Sequence, residues 1–297
     1  MPQRHDVTVV GQIARDLVLR VDHVPDAGTS APVRERRETL GGKAANQAVG
    51  LSQLGADVAL VGVVGDDPAG ERVLGRAEAD GIDIRPVIRR PGVPTGLIVD
   101  IVDADARWRY LEDLPEPMLL TAADIEANAS FLAGARAVSV QLQQPPAAAL
   151  AAARIARAAG SLVVLDGAPA DLVEDLLACA DVLRADARET ELLVGRPVAD
   201  ADAALAAGRA LLDRGPRLVA LAAGAQGNVF VWSGGSAIVP LSDVPVVDTT
   251  GAGDAFTAAL TVALLRGAEP DQAARAAAAA ATATVGHAGG RPSLSRD

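Results

Sequence analysis

The sequence predicts an α/β protein built on a mostly parallel sheet, with a second, smaller sheet set apart from it. Three observations carry that reading. Short apolar runs alternate with helical patterns along almost the whole chain, the signature of βαβ units. Two stretches break the alternation with strand-like pieces of their own. Half of the residues are hydrophobic but only 2% are aromatic, so the core is built from Ala, Val and Leu, whose small side chains suit close layering.

Taken in order, Val7–Val10 reads as a buried strand and Lys43–Leu54 as a helix. Val58–Val64 is the next strand, followed by a helix over Pro68–Asp80. Later pairs are Ala137–Gln141 with Pro146–Ala159, Leu162–Asp166 with Asp171–Ala178, and Asp181–Arg184 with Glu189–Val194. A helix over Ala201–Arg214 leads into a strand over Arg217–Ala222. The interruptions are Ile13–Glu38, with Pro25, Gly28 and Pro32 between short alternating pieces, and Thr95–Leu111, a hairpin turning near Asp103–Ala106. Strands inserted into a βαβ chain in this way form a candidate lid. In the hairpin Leu97, Val99 and Ile101 share one face. Trp108 and Tyr110, alternating with Arg109, read as one face of the lid rather than as a stacking platform. No internal repeat is found, and the 297 residues are read as a single domain.

The net charge of −11 and pI near 4.8 argue against nucleic-acid partners and anionic membranes. No segment reaches the ~18 continuous apolar residues of a membrane span, and no signal region is read at the N-terminus, so a cytoplasmic location is expected. The single cysteine, Cys179, permits no intrachain disulfide and reads as a buried filler. His5, His23 and His287 lack metal-ligand spacing.

The strongest chemical signal is Asp248-Thr249-Thr250-Gly251-Ala252-Gly253-Asp254. It follows an apolar run, Val244–Val247, read as a strand, and opens a long apolar helix over Asp254–Leu265. Small residues before a helix leave backbone N–H groups open, and the helix dipole adds positive potential, which together make an anion hole. Asp254 in the first turn can accept a proton from an attacking hydroxyl. The bland alternative is a glycine turn with a capping Asp. Gly41-Gly42-Lys43-Ala44-Ala45-Asn46 opens another helix. Lys43 and Asn46, three apart, lie on one helical face, and the segment is not a P-loop. Asp16, after the first strand, stands where ligands bind in open α/β sheets. Gly224-Ala225-Gln226-Gly227 reads as a nucleotide loop or a hairpin turn. Asp186-x-x-Glu189 reads as a group near Mg²⁺ and phosphate or as a helix cap.

These segments, with Gly65-Asp66-Asp67-Pro68-Ala69-Gly70 and Asp166-Gly167-Ala168-Pro169, give the chain a whole-length resemblance to the ribokinase/PfkB family of carbohydrate kinases, with the lysine-bearing signature most like ribokinase. The resemblance implies a three-layer α/β/α fold with a β-sheet lid, and an ATP-dependent transfer to a hydroxyl of a small sugar. It implies Asp254 as base, with Gly251, Ala252 and Gly253 at the anion hole. Asp16, Gly42, Lys43, Asn46 and Gln143 would hold the sugar. Asp186, Gly224, Gly227 and Thr249 would border ATP, and Glu189 would act on Mg²⁺ indirectly. Asp248, Thr250 and Ser293 would serve a monovalent cation, K⁺. Lids of this family commonly pair, which implies a homodimer. Ala14 stands where the family usually has Asn, Gln143 where it has Glu, Asp186 where it has Asn, and Ala222 where a hydroxyl residue is usual. Two other functions compete: a nucleoside kinase of the same family, which needs an aromatic slot that so few aromatics hardly offer, and a sugar- or nucleotide-binding protein without catalysis, which would not need Asp254.

Overall fold

The computed structural model describes residues 5–105, 107–286 and 291–294. Among the described residues fifteen strands and ten α-helices follow one another. The strands are β1 Val7–Val10, β2 Ala14–Val21, β3 Val33–Gly41, β4 Val58–Val61, β5 Val63–Gly65, β6 Ile82–Asp83, β7 Ile88–Arg90, β8 Leu97–Val102, β9 Trp108–Asp113, β10 Ala137–Gln141, β11 Leu162–Asp166, β12 Val182–Ala185, β13 Leu218–Ala222, β14 Asn228–Trp232 and β15 Gly235–Val239. The helices are α1 Lys43–Gln53, α2 Pro68–Ala79, α3 Ala122–Ala127, α4 Ala129–Gly134, α5 Pro146–Ala159, α6 Val173–Cys179, α7 Ala187–Val194, α8 Ala201–Leu212, α9 Ala252–Leu265 and α10 Pro270–Val285.

The large sheet has the order β15-β14-β13-β12-β11-β10-β1-β4-β6, parallel except for the antiparallel edge β13-β14-β15. Its inner strands, β1, β4, β10 and β11, are covered on both faces, which explains their largely apolar character. In β10, Val138 and Val140 enter the core under α3, α4 and α5, while Ala137 faces the opposite core with α1. In β11, Val163 and Leu165 take the first side and Val164 packs beneath α9 and α10. The result is the expected three-layer α/β/α sandwich.

The expected strand Val58–Val64 is two strands, broken at Gly62. A Cβ at Gly62 would meet the Gly11 carbonyl and Ile13, and its own carbonyl accepts from Ile88 N–H. The chain therefore leaves the large sheet, and β5 pairs with β7 instead. The run Val244–Val247 is not a strand. Antiparallel β15 occupies that edge of the sheet, and the run crosses the surface in irregular form with Val246 more than half exposed. Cys179 is only partly buried at the end of α6, its thiol pushed up by burial.

The second sheet has the order β3-β2-β8-β9. The two interruptions of the sequence thus meet: β2 pairs with β3 and β8 with β9 antiparallel, and β2 joins β8 in parallel. The segment Asp67-Pro68 anchors this sheet. Asp67 caps α2 through Gly70 N–H and accepts from both N–H and Oγ1 of Thr95, at 2.9 and 2.7 Å.

Candidate active site

Four elements converge on one point: the start of α1, the C-terminal ends of β11 and β12, and the start of α9. Asp254, in the first turn of α9, is 7% exposed. It accepts from Asn46 Nδ2 and Gln47 Nε2, both at 3.3 Å. Gln47 also donates to Asp166 Oδ2 at 2.7 Å and accepts from Ser139 Oγ at 2.8 Å. Arg184, at the end of β12, donates to Asp166 Oδ1 at 3.1 Å. Lys43 Nζ lies 3.4 Å from Glu189 Oε1.

The electrostatics follow from that arrangement. Burial, reinforced by the negative charge of Asp166, pushes Asp254 up to about 7, against the opposing pull of Lys43, the Gln47 hydrogen bond and Arg184. Burial works against the charge on Lys43, but Asp166, Glu189 and Asp254 outweigh it and hold its ammonium above the usual range. A carboxylate that titrates near neutrality, with an amide aimed at each oxygen, is poised as a proton acceptor.

The start of α9 is open as the sequence suggested. Gly251 adopts a left-handed conformation with φ 73°, and no side chain caps the helix. Gly253 has a specific reason to be glycine: a Cβ there would meet Arg184 Nη2 at 2.7 Å. The guanidinium thus lies against the Gly251–Gly253 turn. The Gly41-Gly42 pair is approached from within the protein. A Cβ on Gly41 would fall within 2.0 Å of the Asp16 carboxylate, so the close approach there is made by a side chain of the protein itself. Asp16 also accepts from Gly42 N–H, and burial with the nearby Asp100 charge pushes it up to about 7.

A cavity of about 400 Å³ gathers Asp16, Gly42, Lys43, Asn46, Gln143 and Asp186 with Thr249, Thr250, Gly251, Gly253 and Asp254. A second cavity, about 260 Å³, lies on the other side of the turn and includes Ala252, Thr249, Gly253 and Asn228. Arg184, Thr249 and Gly253 line both. Gly224 and Gly227 line neither. They form the β13–β14 connection beside Asn228, with Gly227 at φ 101° where a Cβ would strike the Val239 carbonyl. Asp186 and Glu189 form a reciprocal capping box on α7, with both bonds at 2.8 Å, so the capping alternative is realised while Asp186 also lines the first cavity. Asp248 is buried and accepts from Thr250 N–H at 2.9 Å. Thr250 Oγ1 lies 2.5 Å from Tyr110 Oη of the lid. Ser293 sits between Pro292 and Leu294, both hydrogen-bonded to Gln53 of α1. The part of its segment at 287–290, including His287, lies outside the described residues.

Several site residues were not singled out from the sequence. Gln47 follows Asn46 and lies four residues after Lys43, so helical spacing could have revealed it. Arg184 carries no comparable signal, being one arginine at the end of a strand. Trp108 and Tyr110 occupy one face of the lid as expected, but that face forms the wall of the first cavity, so an aromatic surface is present after all. Among the described residues, no group of three His, Cys, Asp or Glu side chains could by itself hold a metal ion, and no helix is long and apolar enough to cross a membrane.

Comparison with known proteins places the chain in a family. The pfkB family carbohydrate kinase profile matches residues 4–297. Ribokinase of Haemophilus influenzae is 30% identical over 98% of this chain and 95% of its own length. The ATP-dependent ribose-1-phosphate kinase of Halopiger xanaduensis is 32% identical, again over 98% and 95%. Arabidopsis thaliana ribokinase, solved with ribose and ATP, superposes with a TM-score of 0.84 at 26% identity, covering 99% of this chain and 96% of that one. Matched from residue 4 to residue 297, the chain belongs to the pfkB family of carbohydrate kinases.

Proposed function

We propose that the protein uses Asp254 as general base in an ATP-dependent phosphorylation of a sugar hydroxyl bound in the cavity beneath the lid. One observation carries this reading: a buried carboxylate held near neutrality stands at the open start of α9, where the acceptor-side and second cavities meet. The acceptor O–H gives its proton to Asp254 as its oxygen bonds to the γ-phosphorus, and the bond from that phosphorus to the bridging oxygen of ADP breaks. The backbone at Gly251, Ala252 and Gly253 faces the charge on the moving phosphoryl group. Asp16, Gly42, Lys43, Asn46 and Gln143 support the acceptor, and the side of the turn with Thr249 and Asn228, flanked by the Gly224–Gly227 connection, receives the nucleotide, with Asp186 meeting its phosphates from the first cavity.

Magnesium would neutralise β- and γ-phosphate charge. The side chains present suit an ion carried mainly by the nucleotide, with Glu189 acting through water, since its carboxylate is already engaged by Lys43 and Asp186 N–H. Asp248 and Thr250 offer the start of a monovalent cation site. The outer face of the lid supports a homodimer. Leu17, Leu19, Val99 and Ile101 are partly exposed there, and Leu111 is 63% exposed, a continuous apolar strip by strand register.

The deciding experiment is Asp254→Asn assayed with Mg-ATP against pentoses, hexoses and nucleosides. Turnover should fall by roughly 10²–10⁴ while acceptor binding persists. Near-normal turnover in the variant would remove Asp254 from this role.

A further inference from the structure

The first cavity is electrically divided. Around the transfer point lie Lys43 and Arg184 with Asp254. At the lid end the walls are Asp16, Asp100 and Glu112, together with Trp108 and Tyr110. Asp100 is the anomaly. It is 4% exposed, and neither carboxylate oxygen has a hydrogen-bond partner. A buried acceptor left without a donor is costly, and here two oxygens of one side chain are left so. Asp16 Oδ1 is likewise unpartnered. Burial and the neighbouring Asp248 push Asp100 up to about 6, as expected of a carboxylate lacking donors. The nearby arginines of the hairpin turn, Arg107 and Arg109, are engaged with Asp103.

The register of the lid places the aromatic rings around this carboxylate. Asp100 pairs across the strands with Tyr110, and Val102 with Trp108. The two rings lie 4.5 Å apart, tilted by 33°, and Trp108 is half exposed. A flat aromatic wall beside a carboxylate with two open acceptor positions is complementary to a planar group edged with N–H donors.

Resting on the kinase reading above, we propose that the acceptor is a nucleoside, its ribosyl part toward Asp16 and Asp254 and its base at the lid, and that Asp100 is the residue that selects it. A free pentose would leave Asp100 without donors and the indole face bare. A sugar phosphate would bring a dianion against three carboxylates. An amino sugar would satisfy Asp100 but would leave the flat rings unused. A base with an exocyclic amine uses both features, since stacking on an aromatic side chain is available to every base and the N–H edge supplies the missing donors.

The test compares guanosine, adenosine, cytidine, uridine, ribose, ribose 1-phosphate and glucosamine with Mg-ATP, on the wild type and on Asp100→Leu. Binding is read separately by quenching of Trp108 fluorescence in Asp254→Asn carrying Trp232→Phe, which removes the other tryptophan. The amino-bearing nucleosides should exceed ribose in kcat/KM by about tenfold or more, with uridine behind them and ribose 1-phosphate last. Asp100→Leu should lower the amino-bearing nucleosides by about tenfold or more and leave ribose within about twofold. Should that variant fail to fold, the isosteric Asp100→Asn must show the same selective direction. Ribose or glucosamine equalling the nucleosides overturns the proposal, as does an equal loss on every acceptor. Nucleoside quenching without any phosphorylation by the wild type would sink the kinase reading and leave only the nucleoside's place in the cavity standing. Rapid phosphorylation of ribose alone would do the reverse.

Discussion

Replacing Lys43 by Met should move the pH dependence of turnover without abolishing it. The charge on Lys43 favours the ionised form of Asp254, so its removal raises the pKa of the base. An opposite charge at such range is worth roughly one unit or more. With Asp254 near 7, kcat of the wild type should rise about tenfold between pH 6 and pH 8 and then level off. In Lys43→Met that limb moves to about pH 8. At pH 7 the ionised fraction drops from about one half to about one tenth, a roughly fivefold loss of kcat, and the two enzymes converge near pH 9.5. The assay is ADP release at saturating acceptor and Mg-ATP, from pH 5.5 to 9.5, in buffers of constant ionic strength. Both profiles then report the ternary complex, so the difference between them isolates the Lys43 charge. A wild-type profile flat from pH 6 to 8, or an acid limb identical in both proteins, would refute the reasoning.

Asp16→Ala should raise the acceptor KM far more than the ATP KM, by the ~1.5–3 kcal/mol of a charged hydrogen bond. An ATP-selective defect in steady-state kinetics would contradict this. Val99→Asp should convert a dimer into a 30 kDa species and weaken acceptor binding, because the same sheet closes over the cavity. Sedimentation at micromolar concentration decides it, and a wild type already monomeric refutes the lid-mediated pair. Activity should require Mg²⁺ and rise on adding K⁺. Full activity in sodium-only buffer would remove the potassium assignment from Asp248 and Thr250.

The parallel layers were legible because each buried strand is a short apolar run and each helix carries its own periodicity. The run Val244–Val247 shows the limit of that reading, since nothing in four apolar residues says whether a sheet edge is vacant to receive them. At the site, Asp254 and Lys43 could be found because each opens a helix behind small residues. Arg184 was not, because its importance comes from strands distant in sequence meeting at Asp166, and Gln47 had only its helical spacing from Lys43 to mark it. The glycine pair at Gly41 and Gly42 was legible as a helix start, and in the structure a side chain approaches it closely. That the approaching group is the Asp16 carboxylate is decided by the pairing of β2 with β3. The lid aromatics were read as sharing one face, and only the packing of that sheet over the cavity shows which face it is and what it lines.

Lys43 has one more consequence. It is the only lysine in the chain, all other cationic side chains apart from histidine being arginine. Its amine is partly open to the cavity, with about one third of the side chain exposed. An amine-directed acylating reagent therefore has one side-chain target in the whole molecule, and that target sits in the wall of the acceptor cavity. Its raised pKa makes the reaction slow near neutrality and faster in alkaline buffer. Mass spectrometry of the intact protein then becomes an occupancy meter: a compound that fills the cavity protects the single side-chain amine, whether or not it is ever phosphorylated.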